Sequence, residues 1–381
     1  MITYVLPTRD RPERLKSTLR AIERLGDHGA CGGAEVVIVD NDSRERLVPP
    51  AVLVGGVSVR QVCLAQNLGA AARNVGVRES NPASEWIVML DDDSYPLDLG
   101  FVRALREAPA DVSAVSADIF LPGSREENTG PRESGGLPEV FIGCGVAIRR
   151  GVFLALGGYD ASFGYYAEEY DLAARMLLAG YRVCFEPRFR VLHAKVASHR
   201  NMNLILSRLV RNNGWVAQRY APEACRLAEI RETRERYRRI AAKEEALAGF
   251  GEGLVALRRT IRGQVRTPMP VGLWDRFTGL ACARAALRKA HAQRPFATAA
   301  IVDGGKNAWV VGKALGELGV RLTGEGEDAH VTVIGTMSPG PMLDSWARRA
   351  RWQGPHTARV IAPWNLTAPI AEGRASPAMA A

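Results

Sequence analysis

The stretch Trp86–Asp93, with the sequence WIVMLDDD, decides the fold class of this chain. Its five apolar residues predict a buried strand, and three carboxylates follow directly at the strand's end. Adjacent carboxylates repel one another unless a cation or hydrogen-bond donors compensate their charge. A hard divalent ion, which prefers oxygen ligands, is one such cation. Taken alone, Asp91–Asp93 favours a solvated acidic turn, and it is the surrounding pattern that favours an ion site.

Short apolar runs alternate with helix-like segments before this stretch. The predicted strands are 2–6, 35–39 and 57–64, and the predicted helices are 12–25 and 69–78. Strands that alternate with helices predict an α/β fold with a Rossmann-like, parallel-type sheet. Ligands bind beyond the carboxyl ends of the strands in such sheets. We therefore expect Thr8–Asp10, Asp40–Ser43 and Asp91–Asp93 to converge on one crevice.

The pattern after residue 93 predicts three further parts of the chain. Extended segments are predicted at 139–149, 182–185, 190–193, 299–302, 331–334 and 360–361, and helices at 168–178, 201–220, 308–318 and 341–351. Residues 221 to about 295 read as helical, without an obvious strand. The predicted division is a main α/β domain (1–220), a helical, basic region (221–296), a small Rossmann-like α/β domain (297–372) and a disordered tail (373–381).

Composition excludes several classes of protein. The chain has 381 residues, of which 47% are hydrophobic and 24% charged, as in ordinary globular proteins and unlike disordered or collagen-like chains. No apolar run approaches the roughly 18 residues that a spanning helix needs. Met1–Pro7 lacks the basic and apolar regions of a signal peptide, so we expect a cytoplasmic protein. Six cysteines without a CxxC spacing argue against a disulfide framework or a zinc site.

The positive charge is concentrated in one segment. The net charge is +9, but residues 200–295 hold twenty Lys and Arg against eight Asp and Glu. Interleaved Glu residues make a solvated helix with ion pairs three or four residues apart the favoured interpretation of 226–239. An anionic membrane surface, a polyprenyl-phosphate acceptor or a charged partner are the alternatives. Few aromatic residues are interleaved there, which argues against nucleic acid.

An ordered set of motifs resembles the family 2 glycosyltransferases of the GT-A fold. The motifs are Pro7–Asp10 (PTRD), Val39–Ser43 (VDNDS), Asn67–Gly69 with Arg73-Asn74, Leu90–Asp93 (LDDD), Gly143–Arg150 (GCGVAIRR), Leu156–Asp160 (LGGYD), Ala167–Leu172 (AEEYDL), Ala179–Val183 (AGYRV) and His193. The resemblance covers about residues 1–220 and implies a GT-A catalytic domain there. It further implies metal-dependent transfer of a sugar from a nucleoside-diphosphate sugar to an acceptor hydroxyl or amine, by an inverting single displacement.

The resemblance also implies roles for particular residues. Donor binding is implied for Pro7, Thr8, Arg9, Asp40, Asp42, Asn67, Arg73, Asp91 and Asp92, with a UDP- or dTDP-sugar favoured. Asp91, Asp93 and His193 would hold Mg²⁺ or Mn²⁺, which would offset charge on the leaving diphosphate. Gly143, Cys144 and Gly145 would border the acceptor.

The second acidic motif supplies the implied catalytic residues. In Glu168-Glu169-x-Asp171 the second acid matches the family's general base, where Asp is commoner than Glu. Glu168 stays open as the base, because the longer side chain of Glu169 has a different reach. Asp171, one helical turn from Glu168, would cap or orient. A charged helix N-terminus, stabilised by the helix dipole, is the alternative for the whole run.

Some features leave the function open. Asp303–Asn307 (DGGKN) follows a strand as a phosphate loop would, but it matches neither GxGxxG nor GxxxxGK[ST]. We favour a structural or acceptor-docking role over a second nucleotide site. A sugar nucleotidyltransferase and a catalytically silent sugar-nucleotide-binding protein are the alternative functions. The acceptor (a small natural product, a glycan or a lipid carrier), peripheral membrane contact and a homodimer also stay open.

Overall fold

The computed structural model describes residues 1–123, 130–195, 201–324, 328–350 and 358–365. The predicted tail, 373–381, lies outside these residues, as does Arg351 at the end of the last predicted helix. Among the described residues, no helix combines the length and apolar character needed to cross a bilayer.

The large sheet has eight strands in the order β3-β2-β1-β4-β7-β6-β8-β5. The strands are β1 (Ile2–Thr8), β2 (Ala34–Asp40), β3 (Ser58–Cys63), β4 (Trp86–Met89), β5 (Ser94–Pro96), β6 (Val112–Phe120), β7 (Val146–Arg149) and β8 (Arg182–His193). Strands β1 to β4 pair in parallel, as predicted, whereas β7 runs antiparallel to both β4 and β6. The sheet is therefore mixed. Its central strands are buried along their whole length, as expected for strands covered on both faces.

Two strands predicted separately form a single strand. β8 pairs in parallel with β6, and its register shifts between Glu186 and Arg190. Pro187 has no N–H to donate to the ladder, so an irregularity at this point is expected. The strands β5 and β6 were not predicted from the sequence.

Helices surround the large sheet and lead to a second sheet. They are α1 (Pro12–Arg24), α2 (Ala72–Glu79), α3 (Gly100–Glu107), α4 (Arg150–Ala155), α5 (Glu168–Leu178), α6 (Met202–Tyr220), α7 (Glu223–Lys243), α8 (Leu247–Thr260), α9 (Val271–Thr278), α10 (Leu280–Gln293), α11 (Ala308–Gly316) and α12 (Pro339–Ala350). The second sheet is parallel, in the order β10-β9-β11-β12. Its strands are β9 (Thr298–Val302), β10 (Arg321–Thr323), β11 (Val331–Ile334) and β12 (Arg359–Ile361).

One hydrophobic core joins the two sheets. It contains Val5 of β1, Trp274 of α9 and Val331 of β11, all buried. Across it, the rings of Phe185 and Trp364 meet edge to face with centroids 6.2 Å apart. The domain boundaries given above stay a prediction, because the packing is continuous across them.

A shared arginine links the second unit to the large sheet. Arg132 donates from Nε to Asp118 of β6 (2.7 Å) and from Nη1 to Asp344 of α12 (2.9 Å). Its main-chain N–H also donates to Asp344 (2.8 Å), and the Gly135 N–H donates to Ser338 Oγ (3.0 Å). The chain around 132–135 is thus held from both sides.

Ion pairs occur along the basic helix α7. Arg226 pairs with Glu223, three residues earlier, at 3.0 Å, and Arg239 pairs with Glu232 at 3.6 Å. The first pair has the predicted spacing, whereas seven residues separate Arg239 from Glu232. One side of α7 is packed, since Thr233, Tyr237 and Ala241 are buried, so the interpretation of this segment as an ion-paired, solvated helix stays a prediction.

Glycines set the close approach of α8 to α6. A Cβ at Gly253 would lie 2.6 Å from the Ser207 carbonyl oxygen and 2.8 Å from Val210 Cβ. Gly251, two residues earlier on the same helix, is exposed and has open space around it. The packing of the helical region on α6 thus depends on the missing side chain at Gly253.

Gly253→Ala is expected to lower the free energy of unfolding by about 1–3 kcal/mol, because the new methyl group forces the helices apart. Gly251→Ala is the matched control, and it should raise stability by about 0.5–1 kcal/mol through helix propensity alone. Urea denaturation followed by circular dichroism measures both. Equal stability of the two variants would contradict this account of the packing.

Candidate active site

A cavity of about 990 Å³ opens where β4 and β8 end and β7 begins. The predicted site residues that line it are Arg73, Asp91, Asp93, Gly143, Cys144, Glu168, Glu169 and His193. The predicted residues that do not line it are Pro7, Thr8, Arg9, Asp40, Asp42, Asn67, Asp92, Gly145 and Asp171. Both acidic motifs face into this crevice, but the expected convergence is only partial. Of Thr8–Asp10 only Asp10 lines the cavity, and none of Asp40–Ser43 does.

The aspartates after β4 lie in a turn that is closed by the hydrogen bond from the Ser94 N–H to the Asp91 carbonyl oxygen (3.1 Å), and their side chains point in different directions. Asp91 and Asp93 face the cavity, whereas Asp92 is buried against β1 and α1. Thr8 Oγ1 donates to Asp92 Oδ2 (2.8 Å) and Thr18 Oγ1 donates to its carbonyl oxygen (2.7 Å). Burial raises the pKa of Asp92 to about 7, although Arg11 and Thr8 act in the opposite direction. In this structure Thr8 and Asp92 are thus hydrogen-bonded to each other, and neither lines the cavity.

An imidazole joins the two cavity-facing aspartates. His193 Nε2 lies 3.4 Å from Asp93 Oδ1 and 4.0 Å from Asp91 Oδ2, and its Nδ1 lies 3.0 Å from Glu133 Oε2. Burial acts to lower the pKa of His193, but hydrogen bonds to Asp93, Cys144 and Glu133 outweigh it and raise the pKa to about 12. Without a metal ion the ring is thus a cation between carboxylates.

The same carboxylates remain ionised. Burial acts to raise the pKa of Asp93 and of Glu133, but the hydrogen bond from His193 and nearby cations lower each to about 2. Arg11 contacts both Asp92 and Asp93 through its guanidinium group. Lys195 Nζ donates to both oxygens of Glu133 at 2.9 Å.

Asp91, Cys144 and His193 each offer a ligand atom, and these atoms lie within 4.8 Å of one another. Ser94 Oγ brings them together, since it accepts from the Asp91 N–H (2.8 Å) and donates to the Cys144 carbonyl (3.0 Å). Burial raises the pKa of the Cys144 thiol, so a protonated sulfur faces the two carboxylates. Carboxylate and imidazole ligands suit Mg²⁺ or Mn²⁺, and a neutral thiol does not.

Arg73 connects the aspartates to the second acidic motif. Its guanidinium group contacts Asp91 and donates to the Leu90 carbonyl (3.3 Å). Burial acts to lower the pKa of Arg73, but Asp91, with Glu168 and Glu169 further away, raises it overall. Arg73 is buried and lines the cavity, so its positive charge interacts with Asp91 and, through space, with Glu168 and Glu169.

The second acidic motif begins helix α5. Tyr166 and Ala167 have left-handed backbone (φ +72° and +67°), which turns the chain into the helix at Glu168. Glu168 is buried, and its Oε2 has no hydrogen-bond partner among the described residues. Burial and the neighbouring Glu169 charge raise the pKa of Glu168 well above its usual range, which favours the protonated form of this carboxyl group.

Glu169 has a different environment. A Cβ on Gly143 would lie 3.3 Å from Glu169 Oε1, so the absent side chain leaves room for this carboxyl group. Burial raises the pKa of Glu169, while its backbone, Arg73 and Lys306 act to lower it. The two adjacent acids therefore have different surroundings, and burial raises the pKa of both, more strongly that of Glu168.

Asp171 lies behind the cavity wall. It is completely buried and accepts hydrogen bonds from Tyr220 Oη (2.6 Å), Arg219 Nη1 (2.8 Å) and Arg175 Nε (2.9 Å). These contacts fix α5 against α6. The structure thus gives Asp171 an orienting contact and no cavity surface.

The other predicted donor-binding residues lie at or just beyond the ends of β1 and β2, apart from Asn67, which follows β3. Asp40 Oδ1 accepts from the Ser43 N–H (2.8 Å), and Asn67 Oδ1 accepts from the Gly69 N–H (2.8 Å). Arg9 and Asp42 form a half-exposed ion pair at 3.8 Å. Contact of these residues with a nucleotide stays a prediction.

Several charged residues of the cavity were not predicted as site residues. Arg11 and Lys195 lie two residues from predicted ones, so proximity in sequence could have indicated them. Glu133 reaches His193 across sixty residues, and no local signal indicates it. Lys306 comes from the DGGKN loop, for which the sequence favoured a structural or acceptor-docking role without assigning a site residue.

Comparison with known proteins agrees with this architecture. Residues 3–154 match the family model described as "Glycosyl transferase family 2". No curated protein matches the chain.

Solved structures with similar folds are glycosyltransferases of low sequence identity. GalNAc-T7 with UDP, GalNAc and Mn2+ is 15% identical at a TM-score of 0.46, over 58% of this chain and 48% of that one. TarS 1-349 of S. aureus is 13% identical at 0.45, over 69% and 83%. Mannosyltransferase PcManGT from Pyrobaculum calidifontis, in complex with GDP-Man and Mn2+, is 17% identical at 0.44, over 83% and 86%. This chain thus spans about half the length of GalNAc-T7.

The family match covers β1 to β4, the carboxylates that follow β4, and β7. With the mixed sheet, it accounts for the fold of the N-terminal part of the chain. Residues 3–154 thus resemble a family 2 glycosyltransferase domain, and the mixed α/β sheet is that of the GT-A fold.

Proposed function

We propose that this protein is a metal-dependent glycosyltransferase that moves a sugar from a nucleoside-diphosphate sugar to an acceptor hydroxyl or amine, inverting the anomeric centre by a single displacement. One observation carries the proposal. Two acidic groups, Asp91 with Asp93 and Glu168 with Glu169, face one cavity, and Arg73 lies between them. Such a division suits a reaction in which one side holds a diphosphate and the other removes a proton.

The residues at the first acidic group fit a divalent ion. Asp91, Asp93 and His193 would hold Mg²⁺ or Mn²⁺, since carboxylate oxygens and an imidazole nitrogen converge there. Such an ion supplies positive charge against the leaving diphosphate. The His193 ring has to lose a proton to become a ligand, so ion binding at this site is expected to weaken as the pH falls.

On the donor side, this chain's own cations complement the phosphates. Arg11, Arg73 and Lys195 line the cavity beside the aspartates. We infer that they contact the diphosphate, because guanidinium and ammonium groups donate charge-assisted hydrogen bonds to phosphate oxygens. Pro7, Thr8, Arg9, Asp40, Asp42 and Asn67 would hold the base and ribose of a UDP- or dTDP-sugar.

On the acceptor side, Glu169 accepts the proton of the attacking hydroxyl or amine. Glu168 is less available for this role, because burial and the neighbouring Glu169 favour its protonated form. Gly143, Cys144 and Gly145 would border the acceptor, and the missing side chain of Gly143 gives its nucleophile access to Glu169. Asp171 holds α5, and with it both glutamates, in place.

The experiment that tests the proposal measures nucleotide binding first and turnover second. Thermal shift with UDP-, dTDP- and GDP-sugars, each with and without Mn²⁺, should show stabilisation by one nucleotide class that depends on the metal. Product analysis then separates glycosyl transfer from nucleotidyl transfer and from binding without reaction. No stabilisation by any of the nucleotides would contradict the proposed donor site.

Asp93→Asn is expected to weaken Mn²⁺ binding by at least about tenfold, because it removes a charged oxygen ligand from the proposed site. Calorimetric titration with MnCl₂ measures this without any substrate. Asp328→Asn, at an exposed position, is the matched control and should bind as the wild type does. Unchanged affinity in Asp93→Asn would remove this residue from the metal site.

A further inference from the structure

The second α/β unit contributes a lysine to the cavity. The sequence contains six lysines, and the ammonium group of Lys306 lines the same cavity as Glu169. It lies over the ring of Tyr170, with Nζ 4.2 Å from the ring centroid. Among the described residues, the ammonium group has no hydrogen-bonded or ion-paired partner. This cation is thus held mainly by an aromatic face.

The loop that carries Lys306 is built to hold it in one position. The Gly305 N–H donates to the Gly335 carbonyl (2.8 Å), and the Lys306 carbonyl accepts from the Met337 N–H (2.9 Å). Asn307 follows in left-handed backbone (φ +54°) and donates from Nδ2 to the Thr278 carbonyl at the end of α9 (2.9 Å). The side chain therefore projects from a loop that is anchored on both sides.

Glycine is required in this loop for a packing reason. A Cβ at Gly305 would lie 2.8 Å from Thr336 Oγ1, and one at Gly335 would lie 3.0 Å from Gly304 Cα. The loop after β9 and the loop after β11 are thus in direct contact. The glycines of DGGKN serve this close approach, which leaves Lys306 as the member of the motif that faces the cavity.

The surroundings of the ammonium group favour a bound anion. Burial and the nearby Arg236 lower the pKa of Lys306 to about 7, and Glu169 acts in the opposite direction. Tyr170 and Tyr237 complete the wall on this side. A desolvated cation whose nearest neighbour is a ring gains most from a ligand that brings a negative charge.

We propose that Lys306 binds an anionic group, a carboxylate or a phosphate, on the acceptor, and so selects acceptors that carry such a group near the hydroxyl or amine that reacts. The inference rests on the proposed function, since it assigns the acceptor to the Glu169 side of the cavity. It gives the second unit a part in substrate selection. It also explains why a loop outside the family-matched residues reaches this cavity.

The test uses the six lysines as reporters in the full chain. Protein labelled with ε-¹³C-lysine gives one signal for each lysine, and Lys306→Arg identifies the signal of Lys306. Sodium acetate and inorganic phosphate are added separately at pH 7.5 and constant ionic strength. At least one of them should move the Lys306 signal towards the value of a charged amine in a saturable way, while exposed Lys289 stays unmoved. Acetate and phosphate distinguish the two anion classes.

Which lysine signal responds to the anion decides whether the proposal holds. Lys195 lies at Glu133 on the donor side, so phosphate that moves only Lys195 occupies the diphosphate site and overturns the proposal. A Lys306 response no larger than that of Lys289 overturns it too. In thermal shift, Lys306→Met should weaken the binding of the same anion by about tenfold, as expected for the loss of one charged hydrogen bond. Lys289→Met is the matched control.

A thermal-shift measurement with the nucleotide sugar separates this proposal from the proposed function. Mn²⁺-dependent stabilisation by the nucleotide sugar should be the same in Lys306→Met and in the wild type. If the wild type binds no nucleotide but Lys306 responds to anions, the proposed function fails and the anion site stands. If nucleotide binds and Lys306 does not respond, the acceptor assignment fails alone.

Discussion

Glu169→Gln is expected to lower kcat for glycosyl transfer by a factor of about 10²–10⁴, the usual contribution of a general base. The amide keeps the size of the side chain but cannot accept the acceptor's proton. Donor affinity should be unchanged, because the aspartates and the cations on the other side of the cavity are untouched. Steady-state kinetics with the donor identified by thermal shift measures the effect, and calorimetry measures donor binding.

Two further variants locate the effect. Glu252→Gln makes the same chemical change at an exposed position of α8 and should leave kcat as it is. Glu168→Gln should cost less than Glu169→Gln, because burial favours the neutral form of Glu168 and the amide preserves its shape. A larger loss in Glu168→Gln would transfer the role of base to that residue.

Asp171→Ala is expected to lower the free energy of unfolding by about 3–5 kcal/mol, the usual cost of removing one partner from a buried ion pair. Arg175 and Arg219 would lose their shared carboxylate, and Tyr220 would lose its acceptor. Urea denaturation of the full chain measures the change. Because α5 carries both glutamates, the folded fraction should also lose activity.

The control for this variant is the other partner of Arg219. Asp160 is about one-third exposed and pairs with Arg219 at 2.8 Å, so Asp160→Ala should cost clearly less than Asp171→Ala. Equal losses of unfolding free energy in the two variants would show that the burial of Asp171 does not increase its contribution to stability.

The parts of the fold that follow from local pattern were predictable. β4 with its aspartates, β11 and α5 lie where the sequence placed them, because each is a single apolar run or a helical period with clear ends. The antiparallel place of β7 was not predictable, since strand direction depends on how distant segments pair.

The residues of the site divide in the same way, into those that a sequence motif indicates and those that only tertiary packing brings to the cavity. Asp91, Asp93 and Glu169 belong to recognisable motifs, and the cavity includes all three. That Asp92 faces away depends on the turn from Asp91 to Ser94 and on its contacts with Thr8 and Arg11, which no spacing in the sequence indicates. Glu133 and Lys306 reach the cavity only through tertiary packing, and no spacing in the sequence indicates their partners.

The contact of Arg132 with both Asp118 and Asp344 has a consequence for how the two halves of the chain evolve and for the engineering of chimeric proteins. A chimera that took residues up to about 220 from this chain and the rest from a relative would leave Arg132 and Asp118 without Asp344. Glu133, which holds His193 and Lys195, lies next to that arginine. Exchange of the catalytic half alone would therefore disturb the donor side of the cavity. We expect productive recombinants to keep the two halves as a matched pair.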